Sequence, residues 1–146
     1  MSKNLNAEKF VQFLFDNKIT AELLEINYTE AQEAFVWLNT TVDNTGYPYR
    51  ILAIFSPTNH SIDIRGFNLV ENIKPEQKAK VLELVNTQNR DKRWGKFFLE
   101  ENNSLSQSTP LHSATGEFVP ADVFQILVMI KESTDELHKN ILKAIL

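Results

Sequence analysis

Residues 86–100 read Asn-Thr-Gln-Asn-Arg-Asp-Lys-Arg-Trp-Gly-Lys-Phe-Phe-Leu-Glu. Upstream, Val81, Leu82 and Val85 recur at helical spacing. Downstream, Lys96–Glu100 is aromatic-rich and reads as extended, with Gly95 as the break between the two patterns. A helix therefore runs almost directly into a strand. The strand is followed by the turn Glu101-Asn102-Asn103-Ser104 and a partner strand over Leu105–Leu111, not by a second helix. Strands that return on themselves form antiparallel pairs, so this stretch points to α+β rather than α/β.

The same reading extends in both directions. Pro75 stands where a helix accepts proline, and Glu76 adds negative charge to the first turn, so a helix is predicted from Pro75 to about Arg90. Before it, Ala34–Val42, Tyr49–Ser56 and Ser61–Leu69 are β-rich runs separated by the turn signals Asp43–Gly46 and Pro57–Asn59. Phe35 and Trp37 fall on one face of the first run; Val36, Leu38 and Val42 fall on the other. In the third, Ile62 and Ile64, with Phe67 as a further candidate, alternate against Asp63 and Arg65, and Gly66 suggests a bulge. Leu23, Leu24, Ile26 and Tyr28 suggest a short additional strand. Asn6 is the expected cap of a first helix over Ala7–Lys18, with an apolar stripe of Phe10, Val11, Leu14 and Phe15 and with Phe13 off it. Ser113–Gly116 is a loop, and Pro120 opens a last helix running nearly to Leu146. The order is α-β-β-β(-β)-α-β-β-α: a twisted antiparallel sheet with helices packed on it, in one domain spanning 1–146.

The last helix carries a seam of Val123, Leu127, Ile130, Thr134, Leu137, Ile141 and Ala144. Phe124, Ile126, Val128 and Met129 fill its other directions. A helix apolar all round must be covered all round, so it is either central in the chain or half of an interface. Phe124 and Val128 are thus candidates for a homodimer or partner surface.

Composition narrows the function classes. Without cysteine there are no disulfides, thiolate nucleophiles or Cys-based zinc sites. The first ten residues lack a signal peptide's apolar run, and the longest near-apolar run, Val123–Ile130, is far below the ~20 residues that span a bilayer. A cytoplasmic protein with no membrane partner is expected. A net charge of -4 argues against nucleic acid. His60, His112 and His138 are far apart in sequence and lack metal-ligand spacing. There is no Gly-x-Ser-x-Gly elbow, and the four glycines are too scattered for a phosphate cradle. The adjacent acids Glu100 and Glu101 read as a solvated turn. No catalytic residue, cofactor or metal is assigned.

Arg90, Lys92, Arg93 and Lys96 against Asp91 give residues 90–96 a net charge of +3, interleaved with Trp94. Arg90, Arg93, Trp94 and Lys96 are therefore a candidate RNA or phosphate platform. The competing reading is a structural junction, since cations at a helix C-terminus complement its exposed carbonyls. Phe97 and Phe98 alternate and cannot share a face, so one of them meets another layer or a partner.

The run from Ala79 to Ile141 resembles the YbjN-type family of small bacterial proteins. Its marks are a leucine-rich helix with Asn86 and Asn89 at its end, then Trp94-Gly95-Lys96-Phe97-Phe98, an acidic hairpin turn, a second strand and a proline-started terminal helix. The resemblance implies a fold like that of the class I type III secretion chaperones, often dimeric through the middle helix and a neighbouring strand. Leu82 and Phe98 join the candidate dimer surface on that ground. It implies no catalytic residues. The expectation is a chaperone-like or regulatory module binding an unidentified polypeptide, with RNA or phosphate binding through Arg90–Phe98 as the alternative.

Overall fold

The structure is a computed structural model that describes residues 4–18, 24–29, 33–43, 45–58, 60–92 and 95–145. Its elements run α1 (Leu5–Asp16), β1 (Leu24–Tyr28), β2 (Ala34–Thr41), β3 (Pro48–Phe55), β4 (Ser61–Val70), α2 (Lys78–Asp91), β5 (Lys96–Leu99), β6 (Leu105–His112) and α3 (Pro120–Ile145). This is the expected α+β order, with the optional early strand present as β1.

All strand pairs are antiparallel, in the order β1-β2-β3-β4-β6-β5. Because α2 separates β4 from β5, the later hairpin enters the sheet by its second strand and leaves β5 at the edge. Strand alternation sorts the side chains. Val36, Ala53, Ile64 and Thr109 are consecutive cross-strand partners buried on the helix-covered face, as are Ala34, Phe55 and Ile62. Trp37, Leu52, Arg65 and Ser108 form the adjacent row on the opposite face.

The register of β4 against β6 shifts between Gly66 and Val70, with Asn68 at φ 53°. The bulge foreseen at Gly66 thus falls just after it. Simple alternation keeps Phe67 with Asp63 and Arg65 on the uncovered face, and the bulge makes Leu69 the residue that turns into the core. This corrects the assignment of Phe67 to the Ile62–Ile64 face.

Helix ends differ from expectation where tertiary contacts intervene. The cap of α1 is Asn4, not Asn6: Asn4 Oδ1 accepts from the Ala7 N–H at 3.1 Å. Its Nδ2 donates to the Phe55 and Ser56 carbonyls, fastening the helix start to the end of β3. Asn6 instead donates to the Gly116 carbonyl at 2.9 Å. Phe10 and Leu14 are buried as expected, while Phe13 packs against Phe124 of α3, with ring centres 5.9 Å apart. Phe15 is 47% exposed. The flank of α1 that meets α3 is the one carrying Phe13.

A 3-10 turn at Pro75–Gln77 leads into α2, whose buried residues are Val81, Val85 and Gln88. These follow i, i+4, i+7 spacing. Leu82, expected inside, lies one step of about 100° around the helix and is 41% exposed. Along α3, Val123, Leu127, Ile130, Thr134, Leu137 and Ile141 are buried and Ala144 is exposed. The helix contacts α1, α2 and the sheet, so it is central to the helical layer.

The polar side of α3 holds the β2–β3 hairpin. Lys131 Nζ donates to the Thr41 carbonyl (2.9 Å), Asp43 Oδ1 (2.7 Å) and Asp135 Oδ2 (3.2 Å). Burial works against the Lys131 charge, but the hydrogen bonds to Asp43 and Asp135 more than offset it and raise its pKa. The Lys131 hydrogen bond lowers that of Asp43. One turn on, the His138 ring lies 5.0 Å from that of Tyr47, and its Nδ1 is buried without a hydrogen-bond partner among the described residues. Burial lowers the His138 pKa, and the nearby Asp135 charge only partly opposes this.

The unfolded chain therefore protonates at His138 before the folded protein does. Stability contributed by neutral His138 is complete above the unfolded value of about 6.5 and declines as pH falls below it, towards the lowered folded value. Urea denaturation between about pH 7 and pH 5 is expected to show this decline, and His138→Gln is expected to flatten it.

Candidate functional site

The segment that first draws attention, 86–100, is a junction in which the two chain ends satisfy each other's backbone. Asn89 near the end of α2 donates from Nδ2 to the Phe97 carbonyl at 2.9 Å and accepts from the Phe97 N–H at 2.8 Å. It mimics a strand neighbour and occupies the outer edge of β5, which a client strand would otherwise pair with. Lys96 Nζ donates to the carbonyls of Asn89 (2.8 Å) and Lys92 (3.0 Å), completing the C-terminus of α2. Lys92 lies 3.5 Å from Glu136 of α3, and Arg90 pairs at 3.3 Å with its neighbour Asp91 on the exposed surface.

Of the four platform candidates, Arg93 and Trp94 lie outside the described residues. Arg90 and Lys96 are described, and Lys96 is committed to the helix end. The helix-end role of the cations thus has direct hydrogen-bond support. Gly95 is needed on its own account. It sits at φ 27°, and a Cβ there would overlap the amide of Gln107 and the hydroxyl of Thr109, both buried in β6.

The proposed surface residues do not share one surface. Phe98, 38% exposed, points from β5 to the uncovered sheet face, opposite to buried Phe97. Leu82 is on the outer side of α2. Phe124 and Val128 line a slot of about 170 Å³ between α3 and the β2–β3 strands, with Leu38, Ile51 and Leu127. The histidines do partly converge: the rings of His60 and His112 stack with centres 6.4 Å apart. Among the described residues, however, no set of three His, Asp or Glu could hold a metal.

A larger concavity than this slot lies on the sheet face that carries no helix among the described residues. It has a volume of about 600 Å³ and crosses β2, β3, β4 and β6. Its floor is aromatic: the Trp37 and Phe67 rings are 6.1 Å apart, inclined at 40°. Arg50, directly opposite Phe67 in the β3–β4 ladder, holds its guanidinium carbon 5.5 Å from the centre of the Trp37 ring. That is cation–π geometry. Beside Trp37, Leu52 is only 4% exposed although it belongs to the uncovered face. Glu71 and Glu100 stand at the far end, where β4 and β5 finish on either side of Leu105. Tyr47 donates to the Asn68 carbonyl at 2.7 Å; burial first, and then the Glu71 charge, push its phenol up to about 12. Aromatic floor, stacked guanidinium and two carboxylates make a binding surface for a ligand with both apolar and charged parts.

Sequence reading singled out none of Arg50, Phe67, Glu71 and Glu100 as a site residue. The outward placement of Trp37 beside Phe35 was legible from alternation. What was missing was the register that sets Arg50 opposite Phe67. Parity alone, counted from Ile62 and Ile64, would have placed Phe67 with Arg65.

Comparison with protein families matches residues 17–134 to YbjN, described as "Putative bacterial sensory transduction regulator". That span covers most of the chain, including all six strands, and the chain belongs to the YbjN family. No curated protein and no solved structure matches.

Asn89→Ala is expected to cost about 1–3 kcal/mol and to speed hydrogen exchange at the Phe97 amide, whereas Arg90→Ala leaves both within error. Gly95→Ala is expected to cost about 2–4 kcal/mol in urea denaturation, because the backbone strain and the overlap with β6 add.

Proposed function

We propose that this member of the YbjN family is a non-catalytic regulatory module, acting in the cytoplasm, that binds a polypeptide partner across the uncovered face of its sheet. The observation that carries the reading is the groove over Trp37, Arg50 and Phe67. Aromatic and arginine side chains held rigidly on strands are the usual anchors of protein recognition. Phe35 and Ile54, both half-buried, continue the apolar surface along β2 and β3, beyond what a small ligand would cover. The family description, a regulator rather than an enzyme, agrees with this class of function.

The alternative, RNA or phosphate binding through Arg90–Phe98, loses Lys96 to the helix end. The groove does not replace it, since its two carboxylates oppose a polyanion. A second copy of the chain remains a competing occupant of the same face, in keeping with a homodimer.

Selection of random dodecapeptides against the folded protein tests the proposal. Selected peptides are expected to lose about tenfold or more in affinity for Trp37→Ala and nothing for Leu82→Ala. Equal binding to both variants dismisses the sheet face. Sedimentation of wild type and Trp37→Ala separates the two occupants: a dimer that the substitution dissociates assigns the face to self-association.

A further inference from the structure

We propose that the groove selects a polypeptide segment presenting a lysine or arginine beside an aromatic or aliphatic side chain, with the basic group held between Glu71 and Glu100. This deepens the polypeptide-binding reading and rests on it.

The groove is asymmetric in charge along its length. At the β2–β3 end Arg50 is stacked on Trp37 and has no carboxylate partner among the described residues. At the other end register sets one acid on each side of β6: Val70 and Leu99 both stand opposite Leu105, so Glu71 and Glu100, the next residue of each strand, flank its start and line the groove. Neither carboxylate forms an ion pair among the described residues. By contrast, the other acid–base pair on this face, Asp63–Arg65, is closed at 2.8 Å. Two unpaired acids at one end of a concave surface attract a cation, and desolvation by a bound chain strengthens the attraction.

The aromatic floor lies between the two ends. A segment spanning the groove therefore places an apolar side chain over Phe67 and Trp37, and its basic neighbour between the acids. The guanidinium of Arg50 is then free to take a main-chain carbonyl or a carboxylate of the same segment. An acidic or phosphorylated segment is disfavoured by the same arrangement, since one cation faces two acids.

The test sequences the peptides enriched by the wild-type protein and by Glu71→Gln/Glu100→Gln, a pair of isosteric changes on the surface that leaves the sheet intact. Wild type is expected to enrich Lys or Arg next to an apolar residue. Affinity of those peptides is expected to fall about tenfold in the double variant, to fall similarly when the peptide's basic residue becomes Ala, and to weaken with salt. Enriched peptides that are neutral or acidic, or that bind the double variant equally well, overturn the charge selectivity. If they still depend on Trp37, the sheet-face reading stands without it. If no peptide depends on Trp37, or none is enriched, both readings fall.

Discussion

The structure depends on burial of one face of a twisted antiparallel sheet beneath a single long helix. Val123, Leu127, Ile130, Leu137 and Ile141 of α3 join Val36, Ile51, Ala53, Phe55, Ile62 and Ile64 of the sheet in one apolar cluster. Each large side chain so buried contributes about 1.5–3 kcal/mol. The other two helices are arranged around α3. Phe13 brings α1 against Phe124, and Gln88 of α2 donates to the Ser133 carbonyl at 3.4 Å. The apolar excess on the first turns of α3 thus finds cover largely within the chain.

Covering one face leaves the other. A sheet whose second face met only water would alternate apolar with polar residues throughout. This one places Phe35, Trp37, Leu52, Ile54 and Phe67 outward, interspersed with Arg50, Asp63 and Arg65. Alternation holds Phe67 outward, and the bulge that follows returns Leu69 to the core.

The junction between α2 and β5 shows how a conspicuous sequence can be mainly architectural. Its cations, glycine and asparagine each have a backbone to serve. Asn89 closes the edge of β5, Lys96 closes the end of α2, and Gly95 lets the chain pass over Gln107 and Thr109. The charge that suggested a ligand is largely absorbed in joining a helix to a strand. Sheet edges and helix ends both carry unpaired backbone groups, and here one short segment satisfies both.

Read alone, the chain determined its α+β class, the order of its elements, the inward seam of α3, the opposition of Phe97 and Phe98, and the resemblance to YbjN. These follow from periodicity and from short local patterns, which act between residues close in sequence. It placed the α1 cap two residues late, turned Leu82 inward and put Phe67 on the wrong face. The face of Phe67 follows from the alternation of β4 itself, whereas a partner from elsewhere in the chain decided the first two, β3 for Asn4 and α3 for the buried side of α2. The groove is of the same kind. Trp37, Arg50, Phe67, Glu71 and Glu100 are spread over 64 residues from first to last. Only strand register, set by long-range backbone pairing and by burial of the opposite face, brings them onto one surface.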